Sequence, residues 1–223
     1  RTIEEALEDF DRFENEQTRT YLVQLRPSNE APHAHAGGGL IEQMVEETLR
    51  PPSSNVKMTH AEPIYLANGK LNADFLMRNA RVLFDSQEYA LARNIYKTVL
   101  QGHERPAEAL YWIGRTFEAE GKPDQALKNY GHSVTFQPNI EAFQKMAAIF
   151  MSQKKDRQAA EVLERALQLK DISAQLRCEV LKACGNSWIR AGKPEIAVVH
   201  YRSALPLDPR SEGILSTLGV ALR

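Results

Sequence analysis

An all-α chain built from tandem helical hairpins is the fold class that the 223-residue sequence predicts, and three observations carry it. Around Gly114, the large apolar residues Leu110, Ile113 and Phe117 stand at helical spacing about a small one. That pattern recurs as Leu181, Cys184, Gly185 and Trp188, as Phe143, Met146, Ala147 and Phe150, and most loosely as Leu76, Asn79, Ala80 and Leu83. Downstream, Ala126, Tyr130 and Ser133 recur as Ala92, Tyr96 and Val99, as Ala159, Leu163 and Ala166, and as Ala197, Tyr201 and Ala204. Both series advance by the same intervals of 34, 33 and 38 residues, a coincidence that two independent helices would not keep.

Taken in order, the elements begin with "TIEEALEDFDRFENE", which sets Ile3, Leu7, Phe10 and Phe13 near one helical face among seven acids, with Thr2 and Glu5 spaced as a capping box. Residues 1–30 are therefore expected to hold an acidic amphipathic helix. Residues 31–71 read as a flexible linker, rich in Pro, Gly and Ala, with a short helix near 40–49 built on Leu40, Ile41, Met44, Val45 and Leu49. The hairpins then fill 72–223, in units of about 73–106, 107–139, 140–177 and 178–211, with a partial fifth at 212–223 that carries "LSTLGVAL". Within a hairpin two helices approach closely only where small residues meet, as Gly114, Ala126 and Ser133 do. "EGKPDQ" supplies a turn, Gly121 ending one helix and Pro123 starting the next, and "AGKPEI" repeats it with Gly192 and Pro194. The 38-residue interval is expected to reflect a longer corner around "DISAQLR", residues 171–177.

This pattern resembles the tetratricopeptide repeat family, whose unit of about 34 residues reads W-x2-L-G-x2-Y, then A-x3-F, then P. The resemblance covers about 150 residues, 73–223; Pro138 and Pro209 match the closing proline, whereas Glu104 and Asp171 depart from it. It implies a right-handed superhelical solenoid of about four repeats plus the first helix of a fifth, whose stacked copies share a continuous core. A soluble domain with a genuine core is in keeping with 43% hydrophobic residues.

Charge excludes some classes and divides the chain. Lys+Arg number 28 against 29 Asp+Glu, which argues for neither a nucleic-acid binder nor an acidic tail. Residues 1–71 nonetheless hold 7 basic and 12 acidic side chains and residues 72–223 hold 21 and 17, so the two stretches are expected to attract. Cys178 and Cys184 lie six apart on one expected helix and face different ways, which forbids a mutual disulfide and suits a reducing, cytoplasmic setting. No apolar run approaches the roughly 18 residues of a membrane span. The first residue is Arg1 rather than Met, which suggests a fragment or a processed chain.

No reaction is legible in the sequence. "GHSVT" has Thr135 in place of the second Gly of a nucleophile elbow, and Ser133 is a crossing residue. "HERPA" at His103 has Ala107 where a zinc-binding helix needs its second His, and Pro106 interrupts it. His33 and His35 form a His-Ala-His pair that is read as solvated linker rather than a metal site. No cofactor, no metal and no enzymatic activity are expected.

What the resemblance implies instead is a groove lined by the first helix of each repeat. One step round from the core stripe stand Met77, Arg81 and Phe84; Tyr111, Arg115 and Glu118; Gln144, Ala148 and Met151; and Lys182, Asn186 and Ile189, with Trp112, Lys145 and Arg190 bordering the strip. Cations beside aromatics suit an acidic protein or peptide segment with aromatic anchors. The helix bearing Leu7, Phe10 and Phe13 is an expected occupant, from its own chain or by self-association with a second one. One subclass of the family grips the carboxylate tail of heat-shock chaperones through a Lys, Asn and Arg clamp. Here Met77, Arg81, Trp112, Glu141 and Lys145 fall at those positions, so the clamp is absent and such a tail is not an expected partner. The reading is thus of a protein-interaction scaffold or adaptor, with an interaction module of a larger signalling or catalytic protein as its alternative.

Overall fold

The structure is a computed structural model that describes residues 63–221. The amphipathic helix at 1–30, the short helix near 40–49 and the residues Leu7, Phe10 and Phe13 lie outside the described residues. Among those described, nine α-helices follow one another and the sole β feature is an isolated bridge, Tyr65 to Leu71. The chain divides into two compact units after Lys122.

In the first unit, residues 63–71, the end of the stretch read as linker, form a closed loop. Gly69 supplies its left-handed turn at φ +76°, and Asn72 Nδ2 donates to the Pro63 carbonyl at 3.0 Å. Asn72 then caps α1 (Ala73–Asp85), its side-chain oxygen accepting the Phe75 N–H at 3.2 Å. α2 (Tyr89–Gln101) packs against α1, and α3 (Pro106–Ala119), opened by a proline at its first turn, packs against α2. Leu76, Leu83, Tyr96, Val99, Leu110 and Ile113 are fully buried between them. One charged side chain joins this interior. Arg93 on α2 lies over the Phe117 ring at 4.3 Å, donates to Thr116 Oγ1 at 3.1 Å, and pairs with Glu120 at 3.0 Å. Burial alone would raise the Glu120 pKa, but Lys122 and Arg93 outweigh it and hold the carboxyl below the usual range.

The second unit runs through α4 (Pro123–Phe136), α5 (Ile140–Ser152), α6 (Asp156–Leu167), α7 (Ala174–Arg190), α8 (Pro194–Ala204) and α9 (Glu212–Ala221), and within it each helix from α5 onward packs on the one before. Its small crossing residues are buried as the periodicity predicts: Ala126, Ala159 and Ala197 are at 0% exposure, as Ala92 is in the first unit. Gly185 is the tightest approach. A Cβ placed there would stand 2.8 Å from two ring carbons of Tyr201 on α8, whose hydroxyl donates to Asn186 Oδ1 at 2.7 Å.

The same turn closes α1, α3, α5 and α7. Gln87, Gly121, Lys154 and Gly192 each adopt positive φ, between 58° and 73°. In each turn the following N–H, of Glu88, Lys122, Lys155 and Lys193, reaches back to the carbonyl of Leu83, Phe117, Phe150 and Trp188. The two glycines were readable as helix stops; Gln87 and Lys154 do the same work with a side chain attached.

The 38-residue interval is distributed differently from the expectation. The corner occupies 168–173 rather than 171–177, because Ser173 caps a helix that already begins at Ala174 and runs for 17 residues. Its side-chain oxygen accepts the Leu176 N–H, and Arg177 reaches back to the carbonyls of Leu167 and Leu169. The sequence DISAQLR thus contains a cap and a first helical turn, which the missing proline at Asp171 had obscured.

Candidate functional site

On the first unit, α1 and α3 present their first-helix residues side by side, and an aromatic cluster grips Trp112. Its ring makes edge contacts with Phe84 at 5.4 Å and Tyr111 at 5.6 Å, and stacks against Tyr96 at 6.1 Å. Packing of this kind leaves the tryptophan 8% exposed. Neighbouring helices therefore supply the cover that a tryptophan bordering the core stripe demands. Over the same ring lies the Arg81 guanidinium, 4.0 Å from the ring centroid, and Arg81 itself is exposed. From α3, Arg115 lies 5.5 Å from both the Trp112 and Phe84 centroids, donates to the Tyr111 hydroxyl at 3.4 Å and pairs with Glu118 at 3.6 Å. Two cations are thus posed on one aromatic plate.

Of the residues expected to line this wall, Arg81, Phe84, Tyr111, Arg115 and Glu118 are at least partly accessible. Met77 is buried at 6% exposure, as Trp112 is at 8%. Tyr89 was not singled out by sequence, and Tyr96 was marked there only as a repeat residue. Tyr89 packs its edge against Phe84 at 5.4 Å. Tyr96 occupies a repeat core position, and its buried hydroxyl has no hydrogen-bond partner. Burial drives the Tyr96 phenol pKa well above its ordinary value, Arg81 and Arg115 opposing only in part, so the group stays neutral.

In the second unit the expected residues lie on α5 and α7, and the polar ones of α7 are engaged within the chain. Arg190 Nε pairs with Asp156 at the start of α6 at 2.8 Å, Lys182 approaches Asp208 at 3.8 Å, and Asn186 receives the Tyr201 hydroxyl. Gln144 and Lys145 are half-buried on α5.

A separate polar cluster, unmarked by any sequence motif, joins three consecutive helices of this unit. Glu164 of α6, Cys184 of α7 and His200 of α8 bring one ligand atom each within 4.8 Å of one another. Glu164 Oε1 accepts from Trp188 Nε1 at 2.9 Å and lies 3.0 Å from His200 Nε2. Burial, aided by the Glu164 charge, pushes the Cys184 thiol up to about 12. It is a neutral donor to the Ala160 carbonyl, 3.7 Å away, and so is not poised as a nucleophile. Cys178 and Cys184 are both free and buried, and among the described residues no helix is long and apolar enough to cross a membrane.

Residues 108–132 match the family model of the tetratricopeptide repeat. Over 173 residues the chain is 25% identical to the DnaJ homolog subfamily C member 7 homolog of Dictyostelium discoideum, an alignment that takes in 78% of this chain but 27% of that protein. The chain thus spans about a quarter of the length of that curated relative. Two solved structures share the architecture at low identity. YrrB, described as a TPR protein with an unusual peptide-binding site, is 18% identical with a TM-score of 0.54, over 67% of this chain and 76% of its own. The C-terminal part of a TPR repeat-containing protein from Cytophaga hutchinsonii is 12% identical with a TM-score of 0.55, over 82% and 64%. With a matched repeat at 108–132 and paired helices shared with these proteins, the fold is that of the tetratricopeptide-repeat family.

Proposed function

We propose that this chain is a non-enzymatic scaffold for protein–protein interaction, and that the Arg81, Trp112 and Arg115 wall receives an acidic partner segment bearing aromatic side chains. The supporting observation is the pair of guanidinium groups held over one buried indole. Held this way, Arg81 and Arg115 lose little freedom on binding. Their outer faces and N–H groups suit a partner ring and a partner carboxylate, the latter displacing Glu118 from Arg115. Gln144, Lys145, Lys182, Asn186 and Arg190 are proposed as a second contact set on the second unit. The acidic helix carrying Leu7, Phe10 and Phe13 is the proposed competitor for the wall.

A labelled peptide of residues 2–16, titrated against the chain lacking residues 1–30, tests this reading. Binding is expected to weaken as salt rises and to fall at least about tenfold in the Arg81→Glu, Arg115→Glu double variant, by loss of two charge-assisted contacts. Affinity indifferent to both salt and charge reversal would overturn it. The likeness to about a quarter of a DnaJ homolog favours a second reading, an interaction module of a larger signalling or catalytic protein. The intact open reading frame decides between them, since only the second reading expects a further signalling or catalytic domain in it.

A further inference from the structure

We propose that Glu164, Cys184 and His200 form a zinc-binding site within the second unit. Packing does not call for these residues. At the position of Cys184 the other repeats carry Ile113, Met146 and Asn79, the last of which donates to the Phe75 carbonyl of its own helix. At the position of His200 they carry Ile95, Asn129 and Val162. The core thus accepts aliphatic side chains at both places, yet in this one hairpin it holds a thiol and an imidazole, facing a carboxylate from the helix before.

The donor set selects the metal. A thiolate, an imidazole nitrogen and a carboxylate oxygen suit zinc, whereas calcium and magnesium take oxygen alone. Bonds of about 2.0–2.3 Å in a tetrahedral site put ligand atoms about 3.4 Å apart. Here the three atoms lie within 4.8 Å, with the His200 to Glu164 edge already at 3.0 Å. Rotamer adjustments of about an ångström close the set, and a water completes the fourth corner. Three helices fixed by their own packing supply the ligands, so little order is lost on binding. The Trp188 indole N–H holds the Glu164 carboxylate from the side, as an outer partner steadies a metal ligand. Entry is through Glu164, whose side chain is 37% exposed against 14% for His200.

Binding replaces hydrogens with the metal. The Cys184 thiol releases its proton to solvent, and a neutral His200 carries its hydrogen on Nδ1 so that Nε2 faces the ion.

The test uses the full chain, reduced, freed of metal by a chelator and titrated with cobalt(II) and then with zinc against a chromophoric chelator. One equivalent is expected to bind, with a thiolate-to-cobalt charge-transfer band. Cys184→Ala abolishes the band, and His200→Gln and Glu164→Gln each weaken zinc binding at least about tenfold, while Cys178→Ser leaves it unchanged. Helical circular dichroism of each variant establishes that it is folded, and the His33→Gln, His35→Gln variant separates this site from the His-Ala-His pair. Absence of one-equivalent binding, or binding that survives Cys184→Ala and is lost with the two upstream histidines, overturns the proposal.

Discussion

Individual residues set the tightest limits on this molecule. Gly185 faces a Tyr201 ring that is 1% exposed and tied by its hydroxyl to Asn186, so neither partner can yield cheaply to a new methyl group. Gly185→Ala should cost about 1–3 kcal/mol of stability, read as a lower urea midpoint. Gly131 is the matched control. Within α4 a Cβ there meets nothing within 4 Å, so Gly131→Ala should raise the midpoint by the helix-propensity gain of about 0.5–1 kcal/mol. Opposite reasoning applies to Lys154, which carries a side chain at φ 58° where Gly121 and Gly192 have none. Lys154→Gly should stabilise by about 0.5–1 kcal/mol, because the left-handed strain it relieves exceeds the entropy glycine adds to the unfolded chain. An unchanged or lower melting temperature would count against that account of the turn.

Among elements, the packing of α2 on α3 carries a pH response. Arg93 arrives from α2, and Glu120 at the end of α3 answers it with a carboxyl whose pKa is depressed in the folded state. A depressed carboxyl pKa contributes stability above the unfolded value near 4.5 and loses that contribution as pH falls through the lower folded value. Acid unfolding of the wild type should therefore steepen below about pH 4.5, in the range where paired carboxylates protonate. Glu120→Gln should flatten that slope, at a cost in stability at neutral pH because Arg93 loses its charged partner while Thr116 and the Phe117 face remain. Parallel slopes for the two proteins would remove the pair from the acid response.

At the scale of the molecule, the repeat was legible because it is a rule about volume. A glycine, alanine or serine is needed wherever two helices cross, and the run Ala92, Ala126, Ala159 and Ala197 writes that need at regular intervals. The proposed wall was legible in part. Arg81, Tyr111 and Arg115 stand where helical periodicity sets them, but Met77 and Trp112 are buried, the tryptophan under rings from other helices. Periodicity along one helix cannot report Phe84 and Tyr96 closing over an indole. Lys182, Asn186 and Arg190 found partners in Asp208, Tyr201 and Asp156, 15 to 34 positions away along the chain. Glu164, Cys184 and His200 carry no spacing signature at all, since their convergence is made by three helices packing together.

The same division gives each half an optical label of its own. Trp112 is the sole tryptophan before Lys122 and Trp188 the sole one after it. One indole sits between cations and aromatic rings and the other shares its N–H with a carboxylate, so their emission should differ in colour and quenching. Replacing either with phenylalanine leaves a single reporter, and melting the halves one at a time becomes visible without any attached dye.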